Sequence, residues 1–182
     1  MGAMNVLPRS VPLTYDDLQA MPDDGHRYEL VDGVLIVTPA PRRVHQRAVG
    51  RLHIVLAGAA PPDLEVLLGP FDFVAGPHTV LEPDLLVARR DEVGEANLEH
   101  PPVLVVEVLS PSTRRIDLGT KRLAFEGAGV PHYWLVDPDE PSIVVLELVD
   151  GAYREAARAM GTESLEVSSP FAATLVPAAL VQ

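Results

Sequence analysis

Residues 103–109 read VLVVEVL, apolar at consecutive positions with one carboxylate inside. A run of this kind, uninterrupted rather than alternating, is what a central strand covered on both faces requires. Side chains alternate along a strand, so Glu107 shares its face with Val103, Val105 and Leu109. An ionised carboxylate among such neighbours is costly unless it is paired or bound to a metal. The plainer reading puts Glu107 at the strand's end, reaching solvent or an arginine.

The flanking segments supply the layers. Thr14 caps a short helix at 15–20, and Pro22 ends it. Segments 28–31 and 34–37 flank Asp32-Gly33, a strong hairpin signal. Over 42–59, Val44, Ala48, Leu52, Val55 and Leu56 share one helical face, while Arg43, Arg47 and Arg51 line another. That stripe is a phosphate-facing ridge or, on the preferred reading, a solvated face. His45 falls on the apolar side, where a packed, hydrogen-bonded histidine is the simpler assignment. Runs at 65–68, 71–75, 79–81 and 85–88, broken by Gly69-Pro70 and Gly76-Pro77, read as a meander of strands. Residues 91–100 read as an exposed acidic loop. Beyond the central strand, 110–113 turns the chain. A helix at 117–128 follows, with Gly127 and Gly129 placed to cap its C-terminus, and then a strand at 132–136. The string ELVDG occurs at 29–33 and again at 147–151, each a strand entering an Asp-Gly turn, the second joining 143–148 to 152–156. From Ser164 the pattern supports no assignment beyond an extra strand and a terminal helix.

Composition narrows the class. A chain of 182 residues, 47% hydrophobic, suits one domain spanning 1–182 with a substantial core. Residues 1–4 read as a cloning remnant. The absence of cysteine removes disulfides and thiolate metal sites and fits a reducing compartment. With no stretch of the roughly 18 apolar residues that a membrane span needs and no secretory signal, a cytoplasmic protein is expected. A net charge of −12 argues against non-specific coating of nucleic acid. It leaves room for a nuclease whose basic residues cluster and whose metal supplies positive charge locally. Of the 14 basic residues only Lys121 is a lysine, which marks a site needing a compact ammonium rather than a planar fork.

Asp84 follows Pro83 at the head of one apolar strand, Glu107 lies in the next core strand, and Lys121 on the helix beyond. Alone, Asp84 reads as a turn aspartate and Lys121 as an i,i+4 partner of Asp117 on an exposed helix face. Together, the two carboxylates and the Val108 carbonyl offer a partial shell for Mg²⁺, with Mn²⁺ as a substitute, over a phosphodiester. Lys121 would orient water or neutralise the phosphate oxygens.

The order proline-aspartate, glutamate on a core strand, then lysine resembles the PD-(D/E)XK nuclease superfamily. Its lysine belongs two residues after the glutamate, where this chain has Leu109, and the resemblance transfers that role to Lys121. The strings RYELVDGVLI, PAPRRVHQ, EPDLLV, VVEVLSPST and GVPHYWLVDP, over roughly 14–148, resemble the Uma-type family of small bacterial proteins regarded as endonucleases. The resemblance implies an α/β restriction-endonuclease-like core, with a mixed central β-sheet flanked by helices and N- and C-terminal β-hairpins. It also implies a Mg²⁺-dependent endonuclease acting on DNA, and a homodimer. Asp84, Glu107 and Lys121 are the expected catalytic residues, with Asp84, Glu107 and Val108 holding the metal. Glu29 and His45 fall in the same strings, and Glu29 stands second because Glu147 shares its local context. The rival reading is a catalytically silent module that binds a protein partner or dimerises. Glycoside hydrolysis by two carboxylates is weaker, since aromatics are only 5% and a sugar cleft is normally lined with them.

Overall fold

A computed structural model describes residues 11–182; the segment 1–4 lies outside them. The chain opens with helix α1 (Tyr15–Gln19), a hairpin of β1 (Arg27–Val31) and β2 (Val34–Thr38), and the long helix α2 (Arg43–Ala59). Strands β3 (Leu64–Leu68), β4 (Asp72–Gly76), β5 (Thr79–Leu81), β6 (Leu85–Arg89), β7 (Asn97–Leu98) and β8 (Leu104–Val108) follow. A helical segment comes next: α3 (Arg114–Ile116), a π-turn at Asp117–Lys121, and α4 (Arg122–Gly127). Then come β9 (His132–Asp137), the hairpin β10 (Ser142–Val149) and β11 (Ala152–Met160), β12 (Leu165–Val167), β13 (Ala173–Leu175) and α5 (Pro177–Val181).

The apolar run is indeed central. In the six-stranded sheet β11-β10-β9-β8-β6-β3, β8 lies between antiparallel β6 and parallel β9, so the sheet is mixed. Leu104, Val106 and Val108 face a core built with Ala48, Leu52 and Leu56 of α2 and with residues of β13 and α5. Val105 and Leu109 face the other core, with Phe73, Leu98, Phe125 and Tyr133. Each fully buried leucine contributes about 1.5–3 kcal/mol.

The expected meander is divided between two sheets. β3 pairs with β6, whereas β4 and β5 join a five-stranded sheet of order β2-β1-β5-β4-β7. Gly69 allows the split. Its N–H bonds to the Asp84 carbonyl at 3.1 Å, and a Cβ there would come within 2.6 Å of the Pro83 carbonyl oxygen. The two chain passages therefore touch at this point, and 70–83 crosses to the second sheet. The loop expected at 91–100 is also interrupted, because Leu98 is fully buried and draws β7 into parallel pairing with β4. The helix expected at 117–128 begins earlier, at Arg114, and ends as anticipated, with Gly129 at φ +77°. Arg47 and Arg51 do more than face solvent. They donate to the carbonyls of Val181 and Ala179, capping the end of α5. No helix among the described residues is long and apolar enough to cross a membrane.

The repeated ELVDG string forms two turns of the same shape, with Asp32 and Gly33 at φ +51° and +75° and Asp150 and Gly151 at +52° and +77°. Their surroundings differ. A Cβ on Gly33 would meet Pro12 Cβ at 2.3 Å and the Leu13 nitrogen at 2.9 Å, whereas a Cβ on Gly151 meets nothing within 4 Å. Gly151→Ala should therefore cost about 1–2 kcal/mol of left-handed strain alone. Gly33→Ala should cost clearly more, since backbone must also shift. Urea unfolding of the two variants would check the order, and equal midpoints would contradict it.

Candidate active site

Adjacent strands deliver the two carboxylates. β6 runs antiparallel to β8 with Leu85 opposite Val106, which places Asp84 beside the end of β8. The Val108 N–H donates to Asp84 Oδ2 at 2.8 Å. Within a strand the N–H and C=O of one residue face the same edge, so the Val108 carbonyl is turned toward Asp84 as well.

Lys121 arrives from the π-turn. At the start of this turn the Tyr133 hydroxyl donates to the Asp117 carbonyl at 2.9 Å. Lys121 Nζ lies 2.5 Å from Glu107 Oε1 and 2.8 Å from Glu29 Oε1. Neither Lys121 Nζ nor Glu107 Oε1 has an aligned hydrogen bond, so charge rather than donor geometry holds the group. Glu29, Glu107 and Lys121 are each 1% exposed and Asp84 6%. The exposed Asp117–Lys121 pair that helical spacing allows is not what forms: Asp117 is itself buried, and Lys121 turns to Glu29 and Glu107.

Two further residues of the motif strings belong to the centre. Glu29 also accepts from the Glu82 N–H at 2.8 Å. His45 is packed, as expected, yet its Nε2 lies 3.1 Å from Asp84 Oδ2. Arg27 was missed altogether. Its guanidinium donates to Asp84 Oδ1 at 2.9 Å and lies 3.8 Å from Glu29 Oε2. A signal was available, because Arg27 and Glu29 share one strand face by alternation and stand in the same motif string.

Four buried carboxyls, Glu29, Asp84, Glu107 and Asp117, thus face two fixed cations, Arg27 and Lys121. Burial works to raise Asp84, but the His45 hydrogen bond and the charges of Arg27, His45 and Lys121 outweigh it and hold the carboxyl well below its ordinary range. Burial raises Glu107 far above the ordinary range; Lys121 opposes this, while Asp84 and Asp117 reinforce it. Burial likewise raises Asp117. For Lys121 burial acts downward, and the charges of Glu107 and Glu29 more than reverse it. The two partners conflict, since the rise at Lys121 draws on an ionised Glu107 while Glu107 itself resists ionisation. A charged Lys121 is the state that holds, because its ammonium lies 2.8 Å from a second carboxyl, Glu29, as well as beside Glu107.

The donor set suits a hard divalent ion. It offers carboxylate and carbonyl oxygens, an excess of acidic groups over cations, and a buried Glu107 oxygen with no aligned donor. Among the described residues no three His, Asp or Glu side chains form a ready cage.

Beside the centre, Glu82 and Asp72 form a second acidic pair at a cavity between α1 and the five-stranded sheet. Burial, with the charges of Asp72 and Glu29, pushes Glu82 up to about 8. A carboxyl raised on folding stabilises the protein fully below its unfolded value, and that contribution is lost as pH rises through the folded one. Stability should therefore fall between about pH 4.5 and 8. Glu82→Gln should flatten this slope in urea midpoints measured from pH 5 to 9. A slope unchanged by the substitution would show that Glu82 is not its source.

A search of curated proteins returned no match. Among solved structures, the fold is similar to that of a "putative nuclease belonging to DUF820" from Anabaena variabilis. The TM-score is 0.68 at 21% identity, over 87% of this chain and 90% of that one. The family profile described as "Putative restriction endonuclease" matches residues 15–179, and the chain belongs to that family, Uma2.

Proposed function

We propose that the centre formed by Asp84, Glu107 and Lys121 hydrolyses phosphodiester bonds in DNA with a bound Mg²⁺, which Mn²⁺ can replace. The observation that carries this reading is the convergence of an excess of buried carboxyls on one buried ammonium at the end of β8. Asp84, Glu107 and the Val108 carbonyl are the proposed metal ligands. Bound there, the ion would polarise the phosphate and lower the pKa of a water.

The protein's own groups divide the remaining work. Lys121 keeps its proton, so it serves as a donor to a phosphate oxygen or as an anchor for water rather than as a base. His45 and Arg27 hold Asp84 in one orientation and keep it ionised. Glu29 shares Lys121 with Glu107, fixing the ammonium in place. With an ion bound, Asp84 would turn from Arg27 and Glu107 from Lys121, and Glu107 would give up the proton that burial favours. We place a homodimer and a cytoplasmic location with this reading.

A second reading has its own support. The centre is closed to solvent and already neutralised in part by Arg27 and Lys121, as a silent interaction module would be. Calorimetric titration of Mn²⁺ separates the two. The nuclease reading expects binding to the wild type, competition by Mg²⁺, proton release seen as a buffer-dependent heat, and at least tenfold weaker binding in Asp84→Asn. Absence of Mn²⁺ binding to the wild type, in the presence of a DNA oligonucleotide as well as without it, would favour the silent module.

Lys121→Ala should not behave as a clean catalytic variant. Removing one partner of a buried charge group costs about 3–5 kcal/mol, so this variant should lose stability as well as cleavage. The double variant Lys121→Met/Glu107→Gln should recover only part of that stability, because Glu29 also loses its ammonium, and none of the cleavage, which urea unfolding and a plasmid-nicking assay would read. Full nicking activity in the double variant would remove both residues from the mechanism.

A further inference from the structure

The helical segment that carries Lys121 has a second working face. Asp117 and Lys121, four residues apart, point into the buried centre. Arg114, Leu118 and Arg122, also spaced by four, line a groove of about 320 Å³ on the other flank of the segment. Its floor includes Leu109 and Leu146 from the same sheet face as Glu107, and its far wall carries Arg158 of β11. Leu109 stands two residues beyond Glu107, so the groove begins at the end of β8 that bears the centre.

Three guanidiniums and two carboxylates line the groove, a positive excess of one within the lining of a chain of net charge −12, with Glu140 and Asp139 acting on Arg114 from just outside it. None of the three is used up by its partners. Arg114 bonds Asp137 through one terminal nitrogen, and Arg158 holds Glu155 through Nε and one terminal nitrogen. Arg122 donates one terminal nitrogen to the Tyr153 carbonyl, while its buried Nε has no hydrogen-bond partner. Each planar fork therefore keeps N–H donors for an acceptor arriving in the groove. Arg114 and Arg158 are half exposed, so their tips are reachable.

We propose that this groove seats the sugar–phosphate backbone of a nucleic-acid strand alongside the centre, with phosphate oxygens on Arg114, Arg122 and Arg158 and the sugar or base edge over the leucine floor. The inference rests on the nuclease reading and gives that reading its missing electrostatic footprint. A strand fits better than a lone phosphate, because so small a local excess holds a free dianion weakly, whereas a strand adds contacts along its length. The long-range repulsion expected of an acidic chain makes this a local, short-range capture rather than general coating of DNA.

The test is fluorescence anisotropy of labelled single-stranded and duplex oligonucleotides with the full chain, in EDTA to prevent cleavage, across a salt series. Arg114→Gln/Arg158→Gln should weaken binding about tenfold and reduce the slope of log affinity on log salt by about one to two. Arg122→Lys should weaken it also, since an ammonium loses the fork. Mn²⁺ titrations of the same variants should match the wild type, and urea midpoints, lowered by loss of the Arg114–Asp137 pair, should still leave each variant folded under the assay conditions. Wild-type affinity in all the arginine variants would overturn the proposal, as would a wild type that binds neither oligonucleotide. Equal displacement of the oligonucleotide by inorganic phosphate or a mononucleotide at matched phosphate concentration would also overturn it, in favour of a small-anion site. The Mn²⁺ titration keeps the two readings apart. Retained Mn²⁺ binding with arginine-independent DNA binding sinks the groove alone, and arginine-dependent DNA binding without Mn²⁺ binding sinks the metal centre alone.

Discussion

The ammonium of Lys121, buried between Glu29 and Glu107, is the contact on which the arrangement turns. It joins three structural layers: β1 of the five-stranded sheet, β8 of the six-stranded sheet, and the helical segment packed over both. Each charge would be prohibitive alone in so dry a setting, and each is tolerated because the others are present. The π-turn runs from Asp117 to Lys121, and the buried Tyr133 hydroxyl donates to the Asp117 carbonyl.

Charge imbalance is the second organising fact. Arg27 and Lys121 do not neutralise four buried carboxyls, and the structure meets the shortfall by keeping Glu107 and Asp117 reluctant to ionise. Asp84 is the exception, stabilised as an anion by Arg27, His45 and the Val108 N–H. Neighbouring carboxyls are thus driven in opposite directions by their surroundings, which is the condition under which acid, base and ligand roles separate. The centre is a strong candidate for chemistry on this ground as much as on its likeness to other proteins.

The helical segment organises more than the centre. Its spacing of four sends one row of side chains into the buried charges and another into the arginine groove, so a single element could couple backbone capture to the position of Lys121. The groove also gives Leu109 a part. The apolar residue two positions after Glu107 lines the groove beside Leu146, while the buried ammonium comes from the helical segment.

The sequence by itself determined the central strand, both hairpin turns, the two main helices and the neighbourhood of Asp84 and Glu107. These rest on local rules: consecutive apolar residues for β8, Asp-Gly for the turns, and a 3.6-residue period for α2. It did not determine how strands 64–89 divide between two sheets, because periodicity reports which face is buried and not which partner is paired. Nor could it separate Glu29 from Glu147. The two stand in the same five-residue string and enter turns of the same shape, yet Glu29 is buried against Lys121 and Glu147 is 38% exposed beside His132. Arg27 and His45 were likewise brought to Asp84 only by the packing of β1 and α2 against the sheet. Burial and pairing are properties of the assembled layers, and a local string carries no record of what will cover it.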